Sequence, residues 1–224
     1  MSCVDFYFDY LSPYAYLASC RVEELCARYG LGVRFRPVLF PALLDHWGQR
    51  GPAEIPPKAL HSLRECLRYA RLHGIPLRSP KYHPFKSLIA LRVSLAAPEA
   101  ERGRVVHALF EHGWARGGDL GSEPEIAQAL AGLGAEAAEW IEKARTDEVK
   151  QQLRSATQAA IERGVFGIPT LDVANELFWG VDQLPYVELV LQGHDPLKGV
   201  DLSELAPRGV GAWRPGIPRP IQEP

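Results

Sequence analysis

The first residue in the chain with chemistry to offer is Ser12. It follows Val4-Asp5-Phe6-Tyr7-Phe8, which is β-branched and aromatic like a short buried strand, and a polar break from Asp9 to Ser12. After it, Tyr14, Leu17, Ala18, Val22, Leu25, Cys26 and Tyr29 recur at helical spacing until Gly30. Ser before Pro13 reads as a helix start, because the hydroxyl can cap free N–H groups and proline is tolerated at the first helical position. A strand thus feeds into a helix N-terminus with a hydroxyl at the junction. Unpaired N–H groups and the helix dipole favour an anion there, and a thiolate is stabilised by the same field. The plain alternative makes Ser12 an N-cap and nothing more.

A second segment bears on that choice. Gly164-Val165-Phe166-Gly167-Ile168-Pro169-Thr170-Leu171-Asp172-Val173 follows a helical pattern and leads into a strand-like run, a turn at Asn175, and Leu177-Phe178-Trp179-Gly180. An X-Pro bond after a Gly-rich turn and before a strand is a candidate for the cis form. Otherwise it is an ordinary turn into an edge strand.

The elements around these two segments follow from pattern. Gly32 to Val38 alternates as a second strand, so the chain opens with a strand–helix–strand unit whose parallel strands need a crossover. Beyond Gly48-Gln49-Arg50-Gly51-Pro52 the pattern turns helical, with Leu60, Leu63, Leu67, Ala70 and Leu72 in one stripe that Gly74 stops. A loop holding Pro76, Pro80 and Pro84 precedes helices expected over about 85–95 and 99–115. Ser122 with Glu125 three residues on is a capping-box signal for a helix over about 123–131. A long helix over about 135–163 has a possible split at Thr146-Asp147, and a last helix is expected over 183–191. Beyond about 195 the chain is Pro- and Gly-rich, a tail expected to be draped or flexible rather than folded.

Phe6-Tyr7-Phe8-Asp9-Tyr10-Leu11-Ser12-Pro13-Tyr14-Ala15-Tyr16 and Gly164-Val165-Phe166-Gly167-Ile168-Pro169-Thr170 resemble the 2-hydroxychromene-2-carboxylate isomerases. That family stands with the kappa-class glutathione transferases, in the branch of thioredoxin folds related to DsbA. Leu177-Phe178-Trp179-Gly180-Val181-Asp182-Gln183-Leu184 resembles its closing motif. The resemblance implies an α/β, thioredoxin-like fold interrupted by an all-helical insertion. Residues 1–52 and 164–195 would form the discontinuous thioredoxin-like domain, 53–163 the insertion and 196–224 the tail. It also implies glutathione as cofactor and a homodimer. Ser12 would donate a hydrogen bond to the glutathione sulfur, and the backbone of Ile168 before Pro169 would pair with the cysteinyl part. Asp182 would meet the γ-glutamyl ammonium, or else cap the last helix. The sulfur would add to a conjugated double bond of an aromatic substrate, allow rotation and leave again. A kappa-like transferase that releases the adduct, and a binding protein without turnover, are the other readings.

The chain departs from the family where it tends to carry Lys and Asn, positions that fall at Asp45 and Gln49. Gln49 keeps an amide, whereas Asp45 supplies no positive charge. Arg50 or Lys86 would then meet a substrate carboxylate, and Tyr10 and Tyr14 would wall the pocket. Lys58 fits a family Pro-x-Lys, but an exposed helix lysine is the stronger reading.

Composition narrows the classes further. A net charge of −2 implies no bulk attraction to nucleic acid or an anionic membrane. No apolar run reaches the length of a membrane span, and no basic-then-apolar start suggests a signal peptide. Cys3, Cys20, Cys26 and Cys66 form no CxxC, and the seven histidines show no metal-like grouping. The expected setting is the reducing cytoplasm, with no metal. Disulfide exchange is disfavoured, since Ser12 and Ala15 occupy the places where it needs cysteines.

Overall fold

A computed structural model describes residues 3–205. The elements run β1 (Cys3–Phe8), α1 (Pro13–Ala27), β2 (Gly32–Pro37), α2 (Phe40–His46), α3 (Pro56–Leu72), α4 (Leu88–Ala96), α5 (Glu99–Phe110), α6 (Glu123–Leu130), α7 (Glu136–Lys143), α8 (Asp147–Glu162), β3 (Thr170–Val173), β4 (Glu176–Trp179), α9 (Leu184–Leu191) and α10 (Leu202–Leu205). Four strands form one mixed sheet in the order β2-β1-β3-β4, with β1 parallel to β2 and antiparallel to β3. Helices α3 to α8 all lie between β2 and β3 in sequence.

Period-2 alternation sorts the sheet's two faces. Phe6 pairs with Phe35 on one side and Leu171 on the other, and Phe178 extends the row; all four are buried in the main core with α1, α5 and α9. Fully burying such a side chain contributes about 1.5–3 kcal/mol. Tyr7 points to the opposite face, toward a smaller cluster of Val38, Leu43, Ala160, Val165 and Ile168 from α2, α8 and the loop before β3. Asp5 on that face accepts from Arg34 at 2.9 Å and Arg36 at 2.8 Å.

Several expectations need correction. The α3 stripe is not uniform: its Ala70 is buried together with Cys66, while Leu60, Leu63, Leu67 and Leu72 stay exposed. Helix α4 begins at Leu88, three residues late, because the segment before it is held elsewhere. Helix α5 runs into a π-helical turn over Glu111–Ala115 rather than continuing as α-helix. Ser122 makes no capping bond; Glu125 instead accepts from the Asp119 N–H and pairs with His112. The split at Thr146 is present, with its hydroxyl capping Val149 N–H. Of the tail, Leu202–Leu205 form one helical turn, and 206–224 lie outside the described residues.

Candidate active site

Ser12 is the N-cap of α1, with Pro13 in the first turn and an extended backbone at φ −95° and ψ 115°. Its Oγ accepts from Ala15 N–H at 3.1 Å, and its own N–H donates to the Asp9 carbonyl at 3.1 Å. The side chain is nearly buried, at 7% exposure. Capping uses the oxygen and leaves the hydroxyl hydrogen for a ligand.

The Ile168-Pro169 bond is cis. Pairing of Asp5 with Asp172, Phe6 with Leu171 and Tyr7 with Thr170 fixes the register, which continued by one step sets Pro169 beside Phe8. The proline loop therefore lies against the end of β1, where the chain turns toward Ser12. Ile168 buries its side chain in the smaller cluster, and its backbone N–H and C=O have no partner among the described residues. A free backbone pair at a strand end can take an extended peptide.

Asp182 is tied to the same loop through Gly180, whose N–H donates to the Pro169 carbonyl at 2.9 Å. Gly180 has φ +114°, and a Cβ there would stand 2.2 Å from Asp182 Oδ1, so the carboxylate folds back over a position where a side chain would be strained and would displace it. The exposed carboxylate accepts from Gln183 Nε2 at 3.2 Å. It does not cap the last helix, since Gln183 holds that position without a side-chain bond.

On the same side, Trp47 Nε1 donates to the Val165 carbonyl at 3.0 Å, fastening the end of α2 to the proline loop. Exposed Gln49 follows two residues later. Arg50 donates to the Glu54 carbonyl at 2.9 Å and faces its carboxylate, so it is engaged locally rather than free for substrate.

A strap over residues 83–87 grips the Ser12 turn from the helical side. His83 Nε2 lies 2.8 Å from the Leu11 carbonyl, which can only accept, so this nitrogen carries the proton. At the other end the Ser87 side chain stands at the Asp9 carboxylate and favours its charged form. Exposed Lys86 sits between these anchors. The π-helical turn adds a third contact, because Trp114 Nε1 donates to the Tyr10 carbonyl at 2.8 Å and its ring packs on His83.

Of the two tyrosines, one diverges from expectation. Tyr10 is a core residue, not a pocket wall: it is fully buried, its ring is 4.8 Å from that of Phe110, and its hydroxyl meets Ser94 Oγ at 2.6 Å. Burial, more than any neighbour, pushes its phenol up. Tyr14 is half-buried and gives its hydroxyl to Glu65 of α3. Burial and that carboxylate both hold its proton on.

Sequence reasoning missed Asp9, Ser87 and Trp114. Asp9 alone left a signal, its place two residues ahead of a backbone N–H in a turn, as in an Asx turn. Among the described residues no His, Cys, Asp and Glu cluster could hold a metal ion, and no helix is long and apolar enough to cross a membrane.

Comparison with known proteins adds the family. Residues 3–192 match the model of the DSBA-like thioredoxin domain. A 2-hydroxychromene-2-carboxylate isomerase of Pseudomonas putida is 35% identical over 192 residues, covering 83% of this chain and 92% of that protein. Glutathione S-transferase kappa 1 of Rattus norvegicus is 28% identical over 207 residues, 84% and 90% of the two chains. A solved 2-hydroxychromene-2-carboxylate isomerase superposes with a TM-score of 0.79 at 28% identity, covering 92% of this chain and all of that one.

Proposed function

We infer the activity from a membership these matches establish: the chain belongs to the DSBA-like thioredoxin family and, within it, to the 2-hydroxychromene-2-carboxylate isomerases. We propose a glutathione-dependent isomerase of 2-hydroxychromene-2-carboxylate-type aromatic compounds. The observations that support this reading are the Ser12 hydroxyl capping α1 and, against the end of the strand that leads to it, a cis-proline loop with a free backbone pair.

That donor set fits glutathione: a hydroxyl for sulfur, backbone groups for the cysteinyl part and a carboxylate for an ammonium. Glutathione supplies the nucleophilic sulfur that adds to a double bond and is released after rotation. Ser12 donates to that sulfur, and the N–H groups opening α1 add their field, which together favour the charged form. Ile168 pairs through its backbone, Asp182 accepts from the γ-glutamyl ammonium, and Gln49 borders the cofactor from the α2 side. Lys86 meets the substrate carboxylate in place of the family lysine, and Tyr14 lines the approach from α3.

A homodimer in the cytoplasm completes the reading. The exposed ridge Leu60, Leu63 and Leu67 of α3 suits a second copy, and Cys20, Cys26 and Cys66 are free thiols, as a reducing compartment would leave them. Incubating the protein with 2-hydroxychromene-2-carboxylate, with and without glutathione, tests the activity. Glutathione-dependent formation of the ring-opened trans isomer with glutathione recovered supports it. A stable adduct instead points to a kappa-like transferase, and no product to a binding protein. Ser12→Ala should lower kcat/KM about 10- to 100-fold, the value of one hydrogen bond to a charged group.

A further inference from the structure

The sheet, α2 and the strap converge on a carboxylate to which the proposed reaction gives no part. Asp9 is fully buried between β1 and Ser12. Its Oδ1 accepts from Leu11 N–H at 3.1 Å and its Oδ2 from Phe40 N–H at 3.0 Å. The Tyr10 backbone and the Ser87 side chain also stand at it and favour its charged form. Two of these groups come from helix starts that lack their own caps. Leu39 before α2 makes no side-chain capping bond, so Asp9 takes the first N–H of that helix. Ser87 stands at the N-cap of α4, yet its hydroxyl makes no capping bond there.

Among the described residues no guanidinium or ammonium bonds this carboxylate. Tyr10, in its own turn, is the titratable side chain that feels its charge, and α2 contributes the Phe40 N–H. Burial pushes the carboxyl up to about 6, and the groups of Leu11, Phe40, Tyr10 and Ser87 work against that rise. A group so costly to bury is retained where its bonds fix something.

We propose that Asp9 is the positioning residue of the Ser12 site: its carboxylate fastens the turn carrying Ser12 to the start of α2 and to the strap before α4. Through α2 the same bond reaches Trp47 and the proline loop, so one side chain sets the hydroxyl, the loop and the strap in register. The consequence for the sulfur rests on the glutathione reading. The positioning of Ser12 is measurable without it.

The test compares wild type, Asp9→Asn, Ser87→Ala and a remote core variant, Leu130→Ala, as full-length ligand-free protein. Amide hydrogen exchange at Ala15 reports the Ser12 cap, and at Phe40 the α2 anchor. Asn keeps one acceptor but turns an NH2 group toward a donor, so Asp9→Asn should speed exchange at both amides at least tenfold beyond Leu130→Ala. Ser87→Ala should give a smaller increase at the same amides. With glutathione added, Asp9→Asn should also move the ultraviolet thiolate titration up by about one pH unit. If Asp9→Asn does not fold, Ser87→Ala decides the matter at Ala15. Exchange at Ala15 and Phe40 no faster than in Leu130→Ala overturns the proposal. Absence of a thiolate in wild type overturns the glutathione reading instead and leaves the exchange result to judge Asp9.

Discussion

Asp5 and Asp9 lie four residues apart in and just beyond one strand, and their surroundings are opposite. Asp5 sits on the face with α8, paired with Arg34 and Arg36, whose side chains are 43% and 38% exposed. Asp9 is sealed from water and held by the Leu11 and Phe40 N–H groups. Surface ion pairs of the first kind are screened and contribute little, whereas removing a buried acceptor leaves several donors with neither protein nor water. The difference teaches where this fold spends its polar groups: the sheet's outer face tolerates change, and the turn before Ser12 does not.

The largest contrast should come from truncation. Asp9→Ala strands the Leu11 and Phe40 N–H groups, so chemical denaturation should report a loss on the order of 3–5 kcal/mol. Asp5→Ala should cost about 1 kcal/mol or less in the same assay, because both guanidinium partners remain hydrated. Equal losses would erase the distinction.

Proton linkage gives the next effect. The folded protein holds the Asp9 carboxyl at about 6, above its ordinary 3.8. The folded state therefore binds this proton more tightly than the unfolded chain. The stability this group contributes is full below about pH 4 and is lost as pH rises through about 6. Wild type compared with Asp9→Asn should show this slope, on the order of 2–3 kcal/mol between pH 4 and 7, and the variant should lack it. A difference between the two proteins that stays constant across that window would contradict the assignment.

Gly180→Ala probes the far side of the site. The positive φ and the close Asp182 oxygen predict a stability loss of about 1–2 kcal/mol and a raised Kd for glutathione by calorimetry. The smallest effect should be Trp47→Phe, which removes one bond to the Val165 carbonyl for about 1 kcal/mol.

Features set by neighbours in sequence were legible before the fold was known. The Ser12-Pro13 helix start, the chain reversal at Gly30 that follows the end of α1 at Ala27, the break at Thr146 and the cis bond at Pro169 depend on a few consecutive residues. Features set across the chain were not. Tyr10 resembles a pocket aromatic until Ser94, 84 positions away, takes its hydroxyl into the core. Ser122 and Glu125 spell a capping box, but Asp119 and His112 claim the glutamate. The stripe on α3 has helical period, and period alone does not say whether a ridge faces a core or solvent. Asp9 was hidden for the same reason, since Phe40 and Ser87 are 31 and 78 residues from it.

The central claim is that Ser12 holds a thiolate at the start of α1. Its most direct test is the ultraviolet thiolate absorbance of glutathione bound to wild type and to Ser12→Ala across pH. Losing one hydrogen bond to a charged sulfur should raise the titration midpoint by about one to two pH units. A thiolate at neutral pH in wild type that shifts this way in the variant is the predicted result. Identical titrations, or no thiolate with either protein, would contradict the account.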